Sequence, residues 1–282
     1  MTPTSAARSR GSATTAGGVA RLAAAFSRAR EERRLAIVVY LVVGYPEREA
    51  TPGLLRAAVD GGADVVELGV PFSDPLADGT TVQRAAETAL RAGITLGECI
   101  ASGAALVRDR DVPVLLMGYT NPFFRYGYAR LATALADARL AGVIVPDMPA
   151  EESADLDAAL APHGLARIDL YAPTTPDARL ARLAPHARGF VYCVSLTGVT
   201  GARRDVSAEV PGLVARVRAH TDLPVVVGFG IGTPGHVRAL RGVADGVVVG
   251  SAALDAVAAA PPEARAERLR AFVAGLREAG RS

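Results

Sequence analysis

The chain has 282 residues, half of them hydrophobic and 21% charged, which provides for a sizeable core and excludes wholesale disorder. Its 31 basic and 29 acidic residues leave a net charge of +2, so neither nucleic acid nor an anionic membrane is implied as a partner, despite a pI near 8.7. All 31 basic residues are arginine. Schiff-base aldolases, pyridoxal enzymes that anchor the cofactor themselves and P-loop enzymes each need a lysine and are excluded.

Residues 1–18 are rich in Ser, Thr, Ala and Gly, and no acidic residue precedes Glu31. They read as a disordered tail or as the product of a start codon placed too early, with a weak likeness to a transit peptide. Beyond them come eight short β-branched apolar runs: Ala36–Val43, Asp64–Leu68, Pro113–Met117, Gly142–Val145, Ala166–Tyr171, Gly189–Val194, Pro224–Gly228 and Gly246–Gly250. Each is too short for a helix and too uniformly apolar for a half-exposed strand, as expected of strands covered on both faces. Stretches of helical period alternate with them, among them Thr51–Asp60, Thr81–Ala92, Leu96–Asp109, Tyr128–Leu140, Glu151–Ala161, Pro176–Leu183, Ser207–His220, Pro234–Arg241 and Pro262–Ala279. Thr233-Pro234 and Thr175-Pro176 read as helix starts, a capping hydroxyl before a first-turn proline. Such alternation demands parallel strands with right-handed crossovers, and eight repeats are the count of a (β/α)8 TIM barrel. With an extra helix ahead of the first strand, residues 19–282 form one barrel domain; an open doubly wound sheet is the alternative.

In a barrel the loops after the strands carry the chemistry. Glu67 lies inside the apolar second strand, where a lone carboxylate must be paired with a neighbouring arginine, protonated or functional. Asp78 follows in a Pro/Gly-rich loop, where it either bonds its own backbone or works with Glu67 as the second of two carboxyls in different settings. Gly-rich segments close the sixth, seventh and eighth strands: Thr197–Gly201, Gly228–Gly232 and Val249–Ser251, the last leading into a helix. Three such loops in register with the strand count favour a phosphate site, and Gly228-x-Gly230-x-Gly232 lacks the spacing of a dinucleotide fingerprint. The four histidines read as surface or capping residues, and the Arg-rich faces Arg28–Arg34 and Arg265–Arg270 as solvated. Met117 and Met148 read as core or pocket fillers. Cys99 and Cys193, 94 residues apart, suggest neither a disulfide nor a metal site, and a reduced, cytoplasmic setting fits.

At Glu67-Leu-Gly-Val-Pro-Phe-Ser-Asp-Pro-Leu-Ala-Asp-Gly79 the chain resembles the tryptophan synthase alpha subunit family. The resemblance continues through Leu116–Pro122, Ile144–Ser153, Ala172–Pro176, Tyr192–Gly201, Gly228–Ile231 and Gly250-Ser251. It implies a lyase that splits indole-3-glycerol phosphate into indole and glyceraldehyde 3-phosphate in tryptophan biosynthesis. Glu67 then matches the general acid/base acting at indole C3 and the glycerol hydroxyl, and Asp78 the carboxylate at the indole N–H. Gly201, Gly230, Gly250 and Ser251 match phosphate contacts. Tyr192, Phe229 and Ile144 match the indole pocket, and Thr200 the mobile sixth loop. Asp74, Asn121 and Pro149 match places that meet a beta subunit, in an alpha2beta2 assembly whose pyridoxal phosphate resides in the beta partner. No cofactor or metal is expected in this chain.

Two departures stand out. Valine occupies positions 42 and 43, one of which is usually Thr in the family, and Gly232 stands where Ser is common. Rival readings are a stand-alone lyase that releases free indole and a catalytically silent allosteric barrel, the latter at odds with the presence of both Glu67 and Asp78. Without the resemblance, a lysine-free phosphate-sugar isomerase or epimerase would be the fallback.

Overall fold

A computed structural model describes residues 17–194, 208–228 and 230–281. Eight parallel strands close into a barrel in chain order: β1 (Ala36–Val42), β2 (Val65–Gly69), β3 (Val114–Met117), β4 (Gly142–Ile144), β5 (Ala166–Tyr171), β6 (Val191–Val194), β7 (Val225–Gly228) and β8 (Gly246–Val249), with β8 pairing back to β1. All eight apolar runs are strands, with ends displaced by at most two residues. Closure rules out the open sheet.

Among the described residues twelve α-helices pack around and beneath the barrel. They are α1 (Gly18–Glu31), α2 (Thr51–Asp60), α3 (Thr80–Arg91), α4 (Leu96–Asp109), α5 (Thr120–Tyr126), α6 (Tyr128–Asp137), α7 (Ala154–Leu160), α8 (Asp177–Leu183), α9 (Val210–Arg218), α10 (Pro234–Ala239), α11 (Ser251–Ala258) and α12 (Arg265–Ala279). The sequence pattern misses α5, whose TNPFFRY is too short and too aromatic to show a helical period; Gly127, at φ 89°, ends it. Thr95 caps α4 in a reciprocal capping box with Glu98, and Thr233 caps α10 through the His236 amide. Thr175 does not cap α8. Its hydroxyl turns back to accept from the Ala172 amide at 3.0 Å, closing the loop after β5 instead.

Side chains alternate between two apolar layers. The outward set packs under the helices. The inward set (Val38, Val65, Leu115, Ile144, Ile168, Tyr192, Val226 and Val248) fills the barrel together with Leu22, Ala25, Phe26 and Ala29 of α1. The extra helix thus stoppers the N-terminal end of the barrel. Val19 donates to Gly164 O at 3.0 Å, and Arg21 reaches Val112 O at 2.7 Å to hold it there. With that end sealed by apolar packing, the opposite mouth is where the interior opens to substrate.

Candidate active site

Parallel register places Tyr40 of β1 beside Glu67 of β2, and Glu67 beside Leu115 of β3, in one inward-facing ring. Glu67 is 1% exposed, and neither carboxylate oxygen has a hydrogen-bond partner among the described residues. Among the described residues no arginine compensates it. Burial, and secondarily the charge of Asp78, pushes its pKa up to about 8, so the group is mostly protonated at neutral pH. Tyr40 arches over the next inward position: a Cβ on Gly69 would lie 2.3 Å from the tyrosine hydroxyl, so only glycine fits there. Tyr192 of β6 lies likewise across Gly228, whose Cβ would come within 2.1 Å of its hydroxyl. Both phenols are held well above their ordinary pKa, by burial first and then by the nearby carboxylates.

Asp78 follows β2 in the loop leading to α3 and is buried. Its side chain does not fold onto its own backbone. Tyr119, just beyond β3, donates its hydroxyl to Asp78 Oδ2 at 2.9 Å and accepts from the Ala77 amide at 3.0 Å. Phe72 stacks on the Tyr119 ring, centroids 5.3 Å apart, and Gln83 binds Asp78 O at 2.9 Å. Burial raises the Asp78 pKa to about 6, while the Tyr119 hydrogen bond opposes the rise. The site therefore holds two carboxyls in contrasting states, one bare and protonated, one hydrogen-bonded and mostly ionised. Tyr119 and Tyr40 went unnoticed in the sequence. A tyrosine at a strand end is a weak signal alone, although both stand two residues from the C-terminal end of a strand, Val42 of β1 and Met117 of β3.

Of the residues matched to a phosphate site, Gly230 follows β7 and Gly250 and Ser251 follow β8, with Ser251 exposed as the first residue of α11. The two loops pack closely, since a Cβ on Gly232 would lie 2.8 Å from Ala252 Cβ. This contact explains glycine rather than serine at 232. Ile144 faces inward on β4. Thr200, Gly201 and Phe229, and most of the expected tail, lie outside the described residues. Val42 and Val43 are both buried, at the last residue of β1 and the one after it.

Asp74 and Pro149 are exposed on the loops after β2 and β4, and Asn121 is exposed in the first turn of α5, which follows β3. Hydrogen bonds knit these loops into one rim: Ala77 and Asp78 to Tyr119, and Thr120 N to Asp147 Oδ1 at 2.8 Å. The same rim exposes Leu76 (88%) and Phe124 (67%), two large apolar residues that the sequence reading passed over.

Elsewhere, His236 is buried rather than superficial, taking the Gly232 amide on Nδ1 at 3.3 Å. The Arg28–Arg34 face is not wholly solvated. Arg34 is buried in a bidentate pair with Asp64 at 2.6 and 2.8 Å, because its chain turns under the barrel floor after α1. Cys99 and Cys193 are buried free thiols. Among the described residues no three His, Cys, Asp or Glu are placed to hold a metal ion, and no single helix is long and apolar enough to cross a membrane.

The profile of the tryptophan synthase alpha chain family matches residues 26–280. Tryptophan synthase alpha chains of Roseiflexus castenholzii and Chloroflexus aurantiacus are each 49% identical, over 92% of this chain and 100% and 97% of theirs. A structure of Mycobacterium tuberculosis tryptophan synthase superposes with a TM-score of 0.86 at 39% identity, covering 93% of this chain and 98% of that one. The alpha chain of Legionella pneumophila gives 0.82 at 33% identity, covering 92% and 96%. On these grounds the chain belongs to the tryptophan synthase alpha chain family.

Proposed function

We propose that this chain cleaves indole-3-glycerol phosphate to indole and glyceraldehyde 3-phosphate, as the alpha subunit of a tryptophan synthase in L-tryptophan biosynthesis. The observation that carries the reading is the pair of buried carboxyls at one barrel mouth with pKa values driven apart. A retro-aldol cleavage without lysine or metal must make its electron sink in the substrate. Protonated Glu67 delivers its proton to indole C3, while ionised Asp78 takes the N–H proton, leaving a C=N bond. The Glu67 carboxylate then takes the glycerol hydroxyl proton. The C–C bond breaks, its electron pair returns to the ring, the aldehyde forms, and the ring nitrogen recovers its proton from Asp78. Each carboxyl ends as it began. Tyr192 and Ile144, with Phe229, would flank the indole. The test is release of indole from indole-3-glycerol phosphate by the purified chain; no cleavage with or without a beta subunit overturns the reading.

Because the acid must be protonated and the acceptor ionised, kcat/KM should be bell-shaped in pH. It should rise as Asp78 ionises near about 6 and fall as Glu67 ionises near about 8. A rate still rising above pH 9 contradicts the assignment of Glu67 as the acid.

Gly230, Gly250 and Ser251, with Gly201, would hold the phosphate at the backbone of the loops and the start of α11. Ser251→Asp should raise KM about tenfold or more by placing a carboxylate against the dianion, with little change in fold. It is a cleaner probe than Gly230→Asp, because φ 81° at Gly230 strains any side chain. An unchanged KM places the phosphate elsewhere.

The family works with a beta subunit, and here the apolar residues Leu76 and Phe124 beside Asp74, Asn121 and Pro149 support docking on this rim, with pyridoxal phosphate held by the partner in an alpha2beta2 assembly. A cytoplasmic setting is supported by two buried free thiols. Since Asp74 shares its loop with Asp78, docking there would order the catalytic loop. Asp74→Ala should lower partner activation severalfold while leaving the basal rate close to normal. Titrating a beta subunit into the lyase assay measures both; a high basal rate unchanged by saturating partner favours the stand-alone lyase.

A further inference from the structure

The end of the barrel remote from the carboxyl pair carries an unusual concentration of positive charge. A cavity of about 180 Å³ opens there among Arg30, Arg33, Arg34, Arg241 and Asp245, with Phe26 as its apolar floor. Arg34 is spent on Asp64 and Glu32. Asp245, the acid of the group, is committed to Arg218 at 2.9 Å and to the Val225 amide at 2.8 Å. Arg241 uses Nε and Nη2 on Ala279 O. Among the described residues Arg30 and Arg33 make no ion pair, although eighteen arginine–acid contacts show how readily this lysine-free chain pairs its guanidiniums.

A second observation is independent of charge. Arg33 sits at φ 51° as the left-handed residue that ends α1: its amide donates to Arg30 O at 2.9 Å and the Arg34 amide to Ala29 O at 3.0 Å, so the turn that closes the helix fixes Arg33 beside Arg30 at the cavity. The backbone of one of the two unpaired cations lining the cavity is thus held by the helix end, independently of any ion pair. We propose that this N-terminal mouth is a binding site for a small polyanion of the diphosphate or polycarboxylate class, which the planar donor forks of Arg30 and Arg33 would grip. The volume admits one such ion and excludes an extended polymer. The site lies at the foot of β1 and β8, the strands whose far ends carry Tyr40 and the Gly250-Ser251 turn, so it is separate from the proposed substrate-phosphate site and does not rest on that reading.

The test is titration of pyrophosphate into the isotope-labelled full chain, following the Gly242 and Ala244 amides against that of Gly250. A saturable shift at Gly242 and Ala244 is expected in the wild type and equally in Ser251→Asp, which impairs only the opposite end. In the double variant Arg30→Gln, Arg33→Asn the affinity reported by Gly242 should fall about tenfold or more, at about the worth of one charged hydrogen bond. Asn suits the left-handed position, so the fold is kept, and the Gly250 response and lyase turnover should be unchanged. Absence of a saturable shift at Gly242 in the wild type, or undiminished affinity in the double variant, overturns the proposal.

Discussion

Glu67→Gln is expected to lower indole-3-glycerol phosphate cleavage by about 10²–10⁴-fold or more, the range of a lost general acid–base group, with the barrel intact. The amide keeps the shape of the side chain but can neither protonate C3 nor take the hydroxyl proton. The same change should alter stability in a pH-dependent way. The wild-type carboxyl has its folded pKa raised from 4.5 to about 8, so its contribution is fully present below pH 4.5 and is lost as pH climbs toward 8. Unfolding lets the group ionise in water, which the barrel interior resists. Glu67→Gln has no such liability, and at pH 9 should be the more stable protein by on the order of a few kcal/mol, with the gap closing near pH 5. Thermal melts across that range, beside single-turnover assays, measure both effects. Near-normal turnover in the folded variant would sink the mechanism, and a pH-independent stability difference would show that Glu67 is not bare.

Asp78→Asn should cost at least about 10²-fold in kcat/KM, since the indole N–H then loses its acceptor. Tyr119→Phe separates positioning from chemistry. It removes the hydrogen bond that holds the Asp78 pKa down, so the acidic limb of the pH profile should move to higher pH by about one unit. The same variant frees a loop fixed through the Ala77 amide, so kcat should fall about tenfold while the basic limb, which belongs to Glu67, stays where it was. A fall in kcat without movement of the acidic limb would reduce Tyr119 to a packing residue.

From the sequence by itself came the eight strands, their parallel order and a count that favours a barrel, while closure, against an open sheet, was decided by the structure. Doubly covered strands are continuous β-branched runs, and the crossover helices between them repeat Ala, Leu and Arg at helical period. Glu67 was conspicuous for the same reason, as an acid inside an apolar run, and Asp78 through its motif. What only the tertiary structure decided are contacts across long separations. Whether an arginine reached Glu67 depended on every neighbour in the inward ring, and among the described residues none does. The Tyr119 hydroxyl meets Asp78 across 41 residues because β2 and β3 are adjacent, which gives the second carboxyl its lower pKa. The seven-residue α5 forms where β3 ends and α6 begins, without periodicity to announce it. Arg34 is drawn under the barrel by Asp64, while Arg30 and Arg33, in the same basic run, are left to line the N-terminal mouth. Composition cannot distinguish a solvated guanidinium from a buried one, because the difference lies in which carboxylate the folded chain brings within reach.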